Sequence, residues 1–460
     1  MRVVLDFQPC QSASRFRGVG RGSRALMLGM ARCLLSKGHE VIFALNESFP
    51  DSLSSVRDDI RRQVSGAHVV SFRVLSPCAP AWPANAWRQV ASRALWERSI
   101  AALEPDFVHV PALLADGWGD DSIGSIGLIG VHVPVALTQH DLIPLAMAEV
   151  YLPPGSFRDY YLAKLEMAKR ADLLLAISDY SRREAIELIG FSESQVVNVS
   201  SAVDDYFCPG CEGSSDPLAS IAGGGILPGF LLYAPGGFDH RKNIGRLLEA
   251  YVLLPKALRS RHQLVLASQL DPGRRDQIEG LAHAFGISGN ELVLTDYVSD
   301  EELRALYRTC HAYVFPSLHE GFGLPVLEAM ACGAPVIASA CTSIPEVVGL
   351  DEALFDPLSI PAISGKMAQV LCDEPFRERL LRHAAVQPTN FSWERSAEKA
   401  VAAIESENAA LLERGWSPVC RDRLPGMYAL LDIVNSAAQV ISVDSADLAL
   451  FKACFEHNCE

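Results

Sequence analysis

Short apolar runs alternate with helical stretches along most of the 460-residue chain. Runs such as VVLDF, EVIFALN, DFVHV and DLLLAIS are apolar through their middle, without the polar alternation of a half-exposed strand. Continuous apolar strands are typical of parallel sheets that are covered on both faces. Because helical stretches separate these strands, the pattern predicts right-handed crossovers and a doubly wound α/β fold.

The alternation is interrupted by residues 205–228, which are rich in Gly, Pro, Ser and Cys. The pattern then starts again, and a chain of 460 residues is too long for one core of usual size. We therefore predict two Rossmann-like domains, residues 1–204 and 229–390, joined by this linker and facing across a cleft. Residues 391–415 are predicted to form an amphipathic helix that closes the second domain. Residues 416–460 form a tail to which the sequence assigns no role.

Charge and hydropathy exclude several classes of protein. The formal net charge of −15 and the isoelectric point near 5.3 argue against a general nucleic-acid-binding protein, which needs a basic face. The start, MRVVLDFQPC, lacks the regions of a signal peptide. The most apolar run, SIGSIGLIGVHVPVAL, falls short of the roughly 20 residues that cross a bilayer. We therefore expect a cytoplasmic protein.

The most informative motif is HEGFGLPVLEAMACG, in which Glu320 and Glu328 stand on either side of two glycines and a proline. Glycines before a helix leave its first N–H groups open to an anion such as phosphate. A carboxylate only accepts hydrogen bonds, and it can take two hydroxyl donors, as the diols of a ribose or a hexose provide. The motif therefore predicts a ligand with the order sugar, phosphate, sugar. In the alternative interpretation, Glu328 only interacts with the helix dipole and the glycines only form a turn.

A second motif, GGFDHRKN, places Arg241 and Lys242 at the start of a helix. Cations are unfavourable at this end of the helix dipole unless an anion lies beside them. A pyrophosphate group would provide that anion, with arginine binding as a fork and lysine as a point charge. The alternative is a solvated turn that carries two basic residues.

The first half of the chain contributes two further candidate sites. The segment FRGVGRGSR reads G-x-G-x-G instead of the dinucleotide-binding G-x-G-x-x-G, so the pattern does not support a nicotinamide-dependent dehydrogenase. Gly18 and Gly20 in this predicted loop would instead approach a phosphate of the ligand. In LTQHDLIPL, His140 follows a strand at the sheet edge where sites form, although a lone histidine is more often structural.

The chain resembles the retaining glycosyltransferases of family four, which have the GT-B fold. The similarity runs from the N-terminus to about residue 410, and it is strongest to bacterial mannosyltransferases of O-antigen or exopolysaccharide assembly. The motifs that carry it are GVGR, HDLIPL, AISDYSRREAI, GGFDHRKN, SLHEGFGLPVLEAMACGAPVIAS, SIPEVVG and ALFDPLS.

The resemblance implies a role for each candidate residue. Glu328 would bind the nucleotide ribose, and Glu320 would hold hydroxyls of the transferred sugar. Arg241 and Lys242 would neutralise the leaving diphosphate, and His140 would lie beside the donor hexose. Gly18 and Gly20 would approach the donor phosphate or the acceptor. The remaining candidates would contact the donor: Gly321, Phe322, Gly323 and Leu324.

The chain departs from the family pattern at one position of the basic motif. Many relatives carry an arginine where Gly236 and Gly237 stand in this sequence. We expect Arg241 to supply the missing charge.

The resemblance also implies the reaction. The enzyme would transfer mannose from GDP-mannose to a lipid-linked saccharide acceptor, with retention of the anomeric configuration. The leaving phosphate would take the acceptor's proton. No cofactor is expected, and no metal, because the sequence lacks a D-x-D pair that could hold a divalent ion. The alternatives are a UDP-sugar donor, a sugar-nucleotide epimerase on the same fold, and a non-catalytic carbohydrate-binding protein.

The stretch WPANAWRQVASRALWERSI interleaves tryptophans with arginines. This combination suits a membrane interface, where a lipid-linked acceptor would reside, so it predicts a peripheral membrane contact. The alternative is a helix that packs on its own sheet.

Overall fold

The computed structural model of the chain describes residues 1–210, 218, 221, 225–439 and 443–459. Contacts within the chain divide it into two compact units, one formed by Met1–Ser200 with Trp393–Glu460 and the other by Ser201–Ser392. The predicted linker, residues 205–228, lies partly outside the described residues.

The strands of the first unit form one parallel sheet. In chain order they are β1 (Arg2–Asp6), β2 (Glu40–Asn46), β3 (His68–Phe72), β4 (Phe107–Val110), β5 (Val135–Gln139), β6 (Leu173–Ala176) and β7 (Val196–Asn198). The sheet order is β3-β2-β1-β4-β5-β6-β7, with parallel pairing throughout. The order reverses between β1 and β4, and in such sheets ligands bind beyond the carboxyl ends of the strands at this reversal.

Helices cover both faces of this sheet, as the apolar strands predict. They are α1 (Gly18–Ser36), α2 (Pro50–Gln63), α3 (Ala86–Ala101), α4 (Ile143–Ala146), α5 (Ala148–Tyr151), α6 (Ser156–Ala168) and α7 (Asp179–Glu184). On one face Leu26 and Met30 of α1 enter the core, and on the other face Trp96 and Ile100 of α3 do so.

The second unit repeats the arrangement on a smaller scale. Its strands are β8 (Leu231–Tyr233), β9 (Leu264–Leu266), β10 (Leu292–Leu294), β11 (Ala312–Phe315), β12 (Val336–Ser339) and β13 (Leu354–Phe355). The parallel sheet has the order β10-β9-β8-β11-β12-β13, so its reversal lies between β8 and β11. Two Rossmann-like units with parallel sheets confirm the predicted fold class.

The helices of the second unit lie between these strands and after the last one. They are α8 (Ile244–Val252), α9 (Lys256–Arg259), α10 (Pro272–Ala284), α11 (Asp300–Thr309), α12 (Leu324–Ala331), α13 (Ile344–Val348), α14 (Ile360–Cys372) and α15 (Glu374–Ala384). Asp and Ser side chains cap several of them by accepting a first-turn N–H. In α11, Ser299 and Glu302 exchange such bonds in a capping box.

A long helix, α16 (Trp393–Glu413), follows the second unit in sequence but packs on α1 of the first unit. At Gly29 of α1 an added Cβ would lie 2.9 Å from the Cβ of Ala397, so this glycine permits the close approach. The expectation that residues 391–415 close the second domain was therefore wrong, although the helix itself was predicted. An amphipathic pattern gives a helix its apolar face but does not specify the partner of that face.

The tail adds two helices to the first unit, α17 (Met427–Ala438) and α18 (Ser445–His457). They form an apolar cluster with α3, in which Leu430 and Phe451 are fully buried together with Trp87. The structure therefore gives residues 416–460 a packing role that the sequence did not reveal.

Helix α3 is covered by the tail, which corrects the membrane-interface hypothesis for this stretch. The exposed fractions of Trp87 and Trp96 are 7% and 2%. The indole Nε1 of Trp87 donates to Asn435 Oδ1 at 2.9 Å, and the guanidinium of Arg88 pairs with Asp447 at 2.7 Å. Helix α3 therefore has a packing role, as the alternative interpretation of this stretch expected. Over the described ranges, the helices lack the combined length and apolarity that crossing a bilayer requires.

We expect Phe451→Ala to destabilise the first unit by about 3–5 kcal/mol, because it removes a fully buried ring and leaves a cavity. All six tryptophans of the sequence lie in the first unit, so tryptophan fluorescence in urea follows the unfolding of that unit. Tyr428→Ala is the matched control, because Tyr428 on α17 is 70% exposed and should change stability by about 0.5 kcal/mol or less. Equal midpoints for the two variants would contradict the packing role of the tail.

Candidate active site

The candidate site of the second unit is built at the carboxyl ends of β8 and β11, where the strand order reverses. The basic motif follows β8, and the motif with the two glutamates follows β11. This is the position at which doubly wound sheets bind ligands.

The basic motif forms a tight turn instead of the first turn of a long helix. Gly236 and Gly237 have φ angles of +67° and +144°, and the space where a Cβ would lie at each is open. Arg241 and Lys242 then lie in a short 3₁₀ helix, His240–Lys242, in which the Asp239 carboxylate accepts the N–H of Arg241.

Buried polar contacts fix this turn to the neighbouring strands. The hydroxyl of Tyr233 donates to the carbonyl of Lys242 at 2.7 Å. The side chain of Asn243, which follows the turn in a left-handed conformation, donates to Pro316 O at 3.0 Å and to Pro357 O at 2.8 Å. The backbone N–H of Leu318 donates to Arg241 O at 2.7 Å. The turn is thus held against the loop that carries Glu320.

Glu320 lies between the two cations. Its Oε1 is 2.6 Å from Lys242 Nζ, and its Oε2 is 2.6 Å from Arg241 Nη1. Glu320 and Lys242 are 8% and 4% exposed. The site therefore pairs the acid expected to hold sugar hydroxyls with the cations expected to hold phosphate, which the sequence did not predict.

The two cations keep Glu320 ionised. Burial alone would raise the pKa of Glu320, but the charges of Lys242 and Arg241 outweigh this effect and hold that pKa below its usual value. Asp239 Oδ2 also lies 3.4 Å from Arg241 Nε, so the cluster pairs two carboxylates with two cations and its net charge is zero. A diphosphate would therefore share the cations with Glu320 and Asp239.

The loop after Glu320 is shaped by glycine and by one serine. Gly323 has a φ of +107°, and an added Cβ would lie 2.6 Å from Ile344 Cδ1. The hydroxyl of Ser343 reaches the carbonyls of both Glu320 and Phe322 at 2.9 Å, so it bridges the backbone around Gly321. Because Gly323 caps α12 without a side chain, the first N–H groups of that helix are left to other acceptors.

Glu328 lies on the second turn of α12 and is 6% exposed. The hydroxyl of Tyr307 donates to its Oε2 at 3.3 Å. Leu324 is the first residue of the same helix, and the ring of Phe322 packs on Phe391 with the ring centroids 5.5 Å apart. The structure thus brings the second-unit candidates onto two adjoining loops and one helix.

The candidates of the first unit have different surroundings. Gly18 and Gly20 lie inside the first turn of α1 instead of a loop, and an added Cβ at Gly20 would lie 2.2 Å from Ser14 O. Gly20 therefore has a packing role in this unit. His140 follows β5, and its Nε2 donates to Pro111 O at 2.8 Å. Burial lowers the pKa of His140, so its ring is neutral at pH 7. The ligand contacts of these residues remain predictions.

Sequence reasoning missed several residues that position the site: Tyr233, Asn243, Tyr307 and Ser343. Each acts through a hydrogen bond to a residue distant in sequence, and such a bond leaves no local pattern. The pairing of Glu320 with the basic turn left no sequence signal either, because it depends on β8 and β11 being neighbours in the sheet.

Comparison with protein families agrees with this geometry. A model described as "Glycosyl transferases group 1" matches residues 228–386, and one described as "Glycosyltransferase Family 4" matches residues 20–206. A relative from Mycolicibacterium hassiacum, "MMP alpha-(1->4)-mannosyltransferase", is 30% identical over 67% of this chain and 72% of its own length. The chain belongs to the GT-B glycosyltransferases.

Other relatives of this GT-B chain are longer. "Serotype-specific mannosyltransferase WbdA" of Escherichia coli is 36% identical over 404 residues, which is 87% of this chain but 47% of that protein. The chain thus spans about half the length of these longer curated relatives.

Solved structures show the same fold at low sequence identity. A glycosyltransferase from Rickettsia africae has a TM-score of 0.61 and 16% identity, and covers 88% of this chain and 98% of its own. WaaG, a glycosyltransferase involved in lipopolysaccharide biosynthesis, has a TM-score of 0.59 and 16% identity over 88% of this chain and 99% of its own. These similarities support the GT-B fold of the chain.

Proposed function

We propose that the chain is a retaining glycosyltransferase that transfers mannose from GDP-mannose to a saccharide acceptor in O-antigen or exopolysaccharide assembly. The observation that carries this proposal is the cluster of buried Glu320 and Lys242 with half-buried Arg241 at the strand reversal of the second sheet. The choice of mannose is supported by relatives that are named as mannosyltransferases.

The cluster suits the charge changes of glycosyl transfer. As the bond between sugar and phosphate breaks, negative charge grows on the diphosphate and positive charge on the sugar ring. Arg241 and Lys242 are already fixed by hydrogen bonds and ion pairs, so they stabilise the growing charge without reorganising. Glu320 would at the same time accept sugar hydroxyls and face the cationic ring.

Glu328 suits the other end of the donor. Its buried carboxylate accepts a hydrogen bond from Tyr307, which orients it, and a carboxylate can accept from both hydroxyls of a diol. We propose that this diol is the ribose of the nucleotide, and that the N–H groups at Gly323 and Leu324 face the phosphate between the two sugars.

A thermal-shift panel of GDP-, UDP- and ADP-sugars tests the donor. A ligand at about a hundred times its Kd stabilises a protein by about 2.7 kcal/mol. At equal concentrations the donor with the lowest Kd gives the largest shift in melting temperature, and we expect this donor to be GDP-mannose. If a UDP-sugar gives the largest shift, the proposed donor is wrong, but the proposed reaction class, glycosyl transfer, is unaffected. NMR of the product should show the anomeric configuration of the donor, whereas inversion would contradict a retaining enzyme.

An assay of free GDP, with and without a saccharide acceptor, separates the transferase from its alternatives. A transferase releases free GDP only when a saccharide acceptor is present, whereas an epimerase converts the donor without releasing it. A non-catalytic binding protein would show a thermal shift and no turnover.

We expect transfer to be independent of divalent metal ions, because two fixed cations occupy the place where an ion would neutralise the diphosphate. Activity should be the same in EDTA as in buffer with added Mg²⁺ or Mn²⁺. Loss of transfer in EDTA, with recovery on addition of one of these ions, would overturn the expectation.

A lipid-linked acceptor would bring the protein to the inner face of the membrane as a peripheral enzyme. Flotation with liposomes, with and without anionic lipid, tests this part of the proposal. Binding to neither kind of liposome would restrict the acceptor to a soluble saccharide.

A further inference from the structure

The loop between β12 and α13, residues 340–343, lies against the Glu320 loop, which comprises residues 316–323 between β11 and α12. At Gly323 an added Cβ would lie 2.6 Å from Ile344 Cδ1, so the start of α13 is in close contact with the Glu320 loop. Three successive side chains of residues 340–343 hydrogen-bond to the backbone of the Glu320 loop: Cys341, Thr342 and Ser343.

Thr342 and Ser343 hold both polar groups of the Glu320 backbone. The N–H of Glu320 donates to Thr342 Oγ1 at 3.2 Å, and the carbonyl of Glu320 accepts from Ser343 Oγ at 2.9 Å. Cys341 Sγ donates to Leu318 O, two residues earlier, at 3.2 Å. A backbone that is fixed in this way also fixes the direction in which the Glu320 side chain leaves the chain.

Thr342 makes its hydrogen bond from a strained backbone conformation. Its φ is +54°, in the left-handed region that β-branched residues rarely adopt. A glycine would adopt this φ without strain, but it would carry no hydroxyl. Strained residues of this kind cluster at functional sites, where the surrounding structure holds them in place. The conformation of Thr342 therefore indicates a role for its side chain.

The hydrogen bond to Thr342 is independent of the cations of the site. The Glu320 carboxylate is held by Arg241 and Lys242, each at 2.6 Å. A diphosphate would share these cations, so its binding would weaken their hold on the carboxylate. The bonds to the Glu320 backbone do not involve the cations and would persist. They would then keep the carboxylate directed at the sugar of the donor.

We propose that Thr342 is a positioning residue for glycosyl transfer, and that its hydroxyl holds the Glu320 backbone so that the carboxylate faces the transferred sugar. The inference rests on the proposed function, which assigns the transferred sugar to Glu320. It adds a residue to which neither the sequence motifs nor the similar proteins give a role.

The test compares the affinities of GDP-mannose and GDP for the full chain by calorimetry, with turnover on an α-linked mannotriose acceptor measured in parallel. Thr342→Val keeps the branched shape and removes the hydroxyl. GDP-mannose affinity and turnover should each fall by about threefold to tenfold, because the carboxylate is less well placed for the sugar. GDP affinity should be unchanged, since the charges of the site stay the same. Thr342→Ser keeps the hydroxyl and should restore wild-type values.

Thr342→Gly separates positioning from folding. Because glycine adopts a positive φ without strain, the melting temperature of this variant should exceed that of Thr342→Val. GDP-mannose affinity and turnover should nevertheless fall as they do in Thr342→Val. Thr309→Val is the matched control, because it removes the hydroxyl of an exposed threonine that bonds to Ala305 O at 2.7 Å within α11. It should leave both affinities and turnover at wild-type values.

Wild-type turnover and GDP-mannose affinity in both Thr342→Val and Thr342→Gly would overturn the inference. Equal losses of GDP and GDP-mannose affinity would also overturn it, because Thr342 would then shape the whole pocket and not the sugar contact. A Thr342→Ser variant as impaired as Thr342→Val would rule out the hydroxyl. Failure of the proposed function gives a different result: the wild type would bind none of the GDP-, UDP- or ADP-sugars, and the inference would fall with it.

Discussion

Glu320→Gln should nearly abolish transfer and at the same time tighten the binding of GDP. In the wild type the carboxylate neutralises one of the two cations beside it. Removing its charge raises the net charge of the cluster, Asp239 included, from zero to +1, so the diphosphate gains attraction. The group that we propose to hold the sugar hydroxyls is lost, and turnover should fall by about a hundredfold to a thousandfold.

Stability gives a second readout of the same variant. Without ligand, the buried Lys242 loses its counter-charge and Arg241 keeps only Asp239, so the melting temperature should fall. GDP should restore it, and the shift on adding GDP should exceed that of the wild type. Calorimetry gives the GDP affinity, and product assays give the turnover number.

Glu374→Gln is the control for this substitution. Glu374 makes an exposed ion pair with Arg377 at 3.0 Å in the same unit, so both turnover and GDP affinity should remain at wild-type values. A Glu320→Gln variant that keeps full turnover would show that Glu320 only balances charge and does not take part in the reaction.

The sequence predicts the parts of the fold that repeat a pattern. Apolar strands between helical stretches gave the two parallel sheets, and the glycines of the second-unit motifs gave the loops at their carboxyl ends. The fold class could be predicted because the apolar strand pattern and the glycine loops are both local features of the sequence. The order of strands within each sheet required the structure.

The tertiary partners of the helices could not be predicted in the same way. Helix α16 packs its apolar face on α1, where Gly29, which is distant in sequence, permits the close approach of Ala397. The arginines of α3 suggested an exposed face, yet Arg88 is paired with Asp447 of the tail. A charged residue with a distant partner has the same sequence pattern as an exposed one.

The candidate site was predicted as a set of residue types but not as a network. Glu320 was selected for the transferred sugar, and Arg241 and Lys242 for the diphosphate, and the structure joins all three side chains. The sequence therefore supplied the chemistry of the site. The pairing, which decides how the charges respond to substitution, came from the structure.

Lys242→Met should lower transfer by about a thousandfold and, in contrast to Glu320→Gln, should weaken GDP binding by about tenfold to a hundredfold. The lysine is 4% exposed, and its ammonium bonds to Glu320 at 2.6 Å. Its removal takes the cluster, Asp239 included, from a net charge of zero to −1, and Arg241 then shares its charge among Glu320, Asp239 and the diphosphate. The measurement is GDP affinity by calorimetry at low and high salt, with turnover measured in parallel.

The salt dependence distinguishes a direct phosphate contact from general attraction by the surface of the unit. A buried charge is screened much less than an exposed one, so the ratio of wild-type to Lys242→Met affinity should persist at high salt. Lys256→Met, at an exposed lysine of α9, provides the control and should leave both affinity and turnover unchanged. Because the two site variants change the net charge in opposite directions, GDP affinity must move in opposite directions if the diphosphate binds this cluster. A change in the same direction for both variants would place the diphosphate elsewhere.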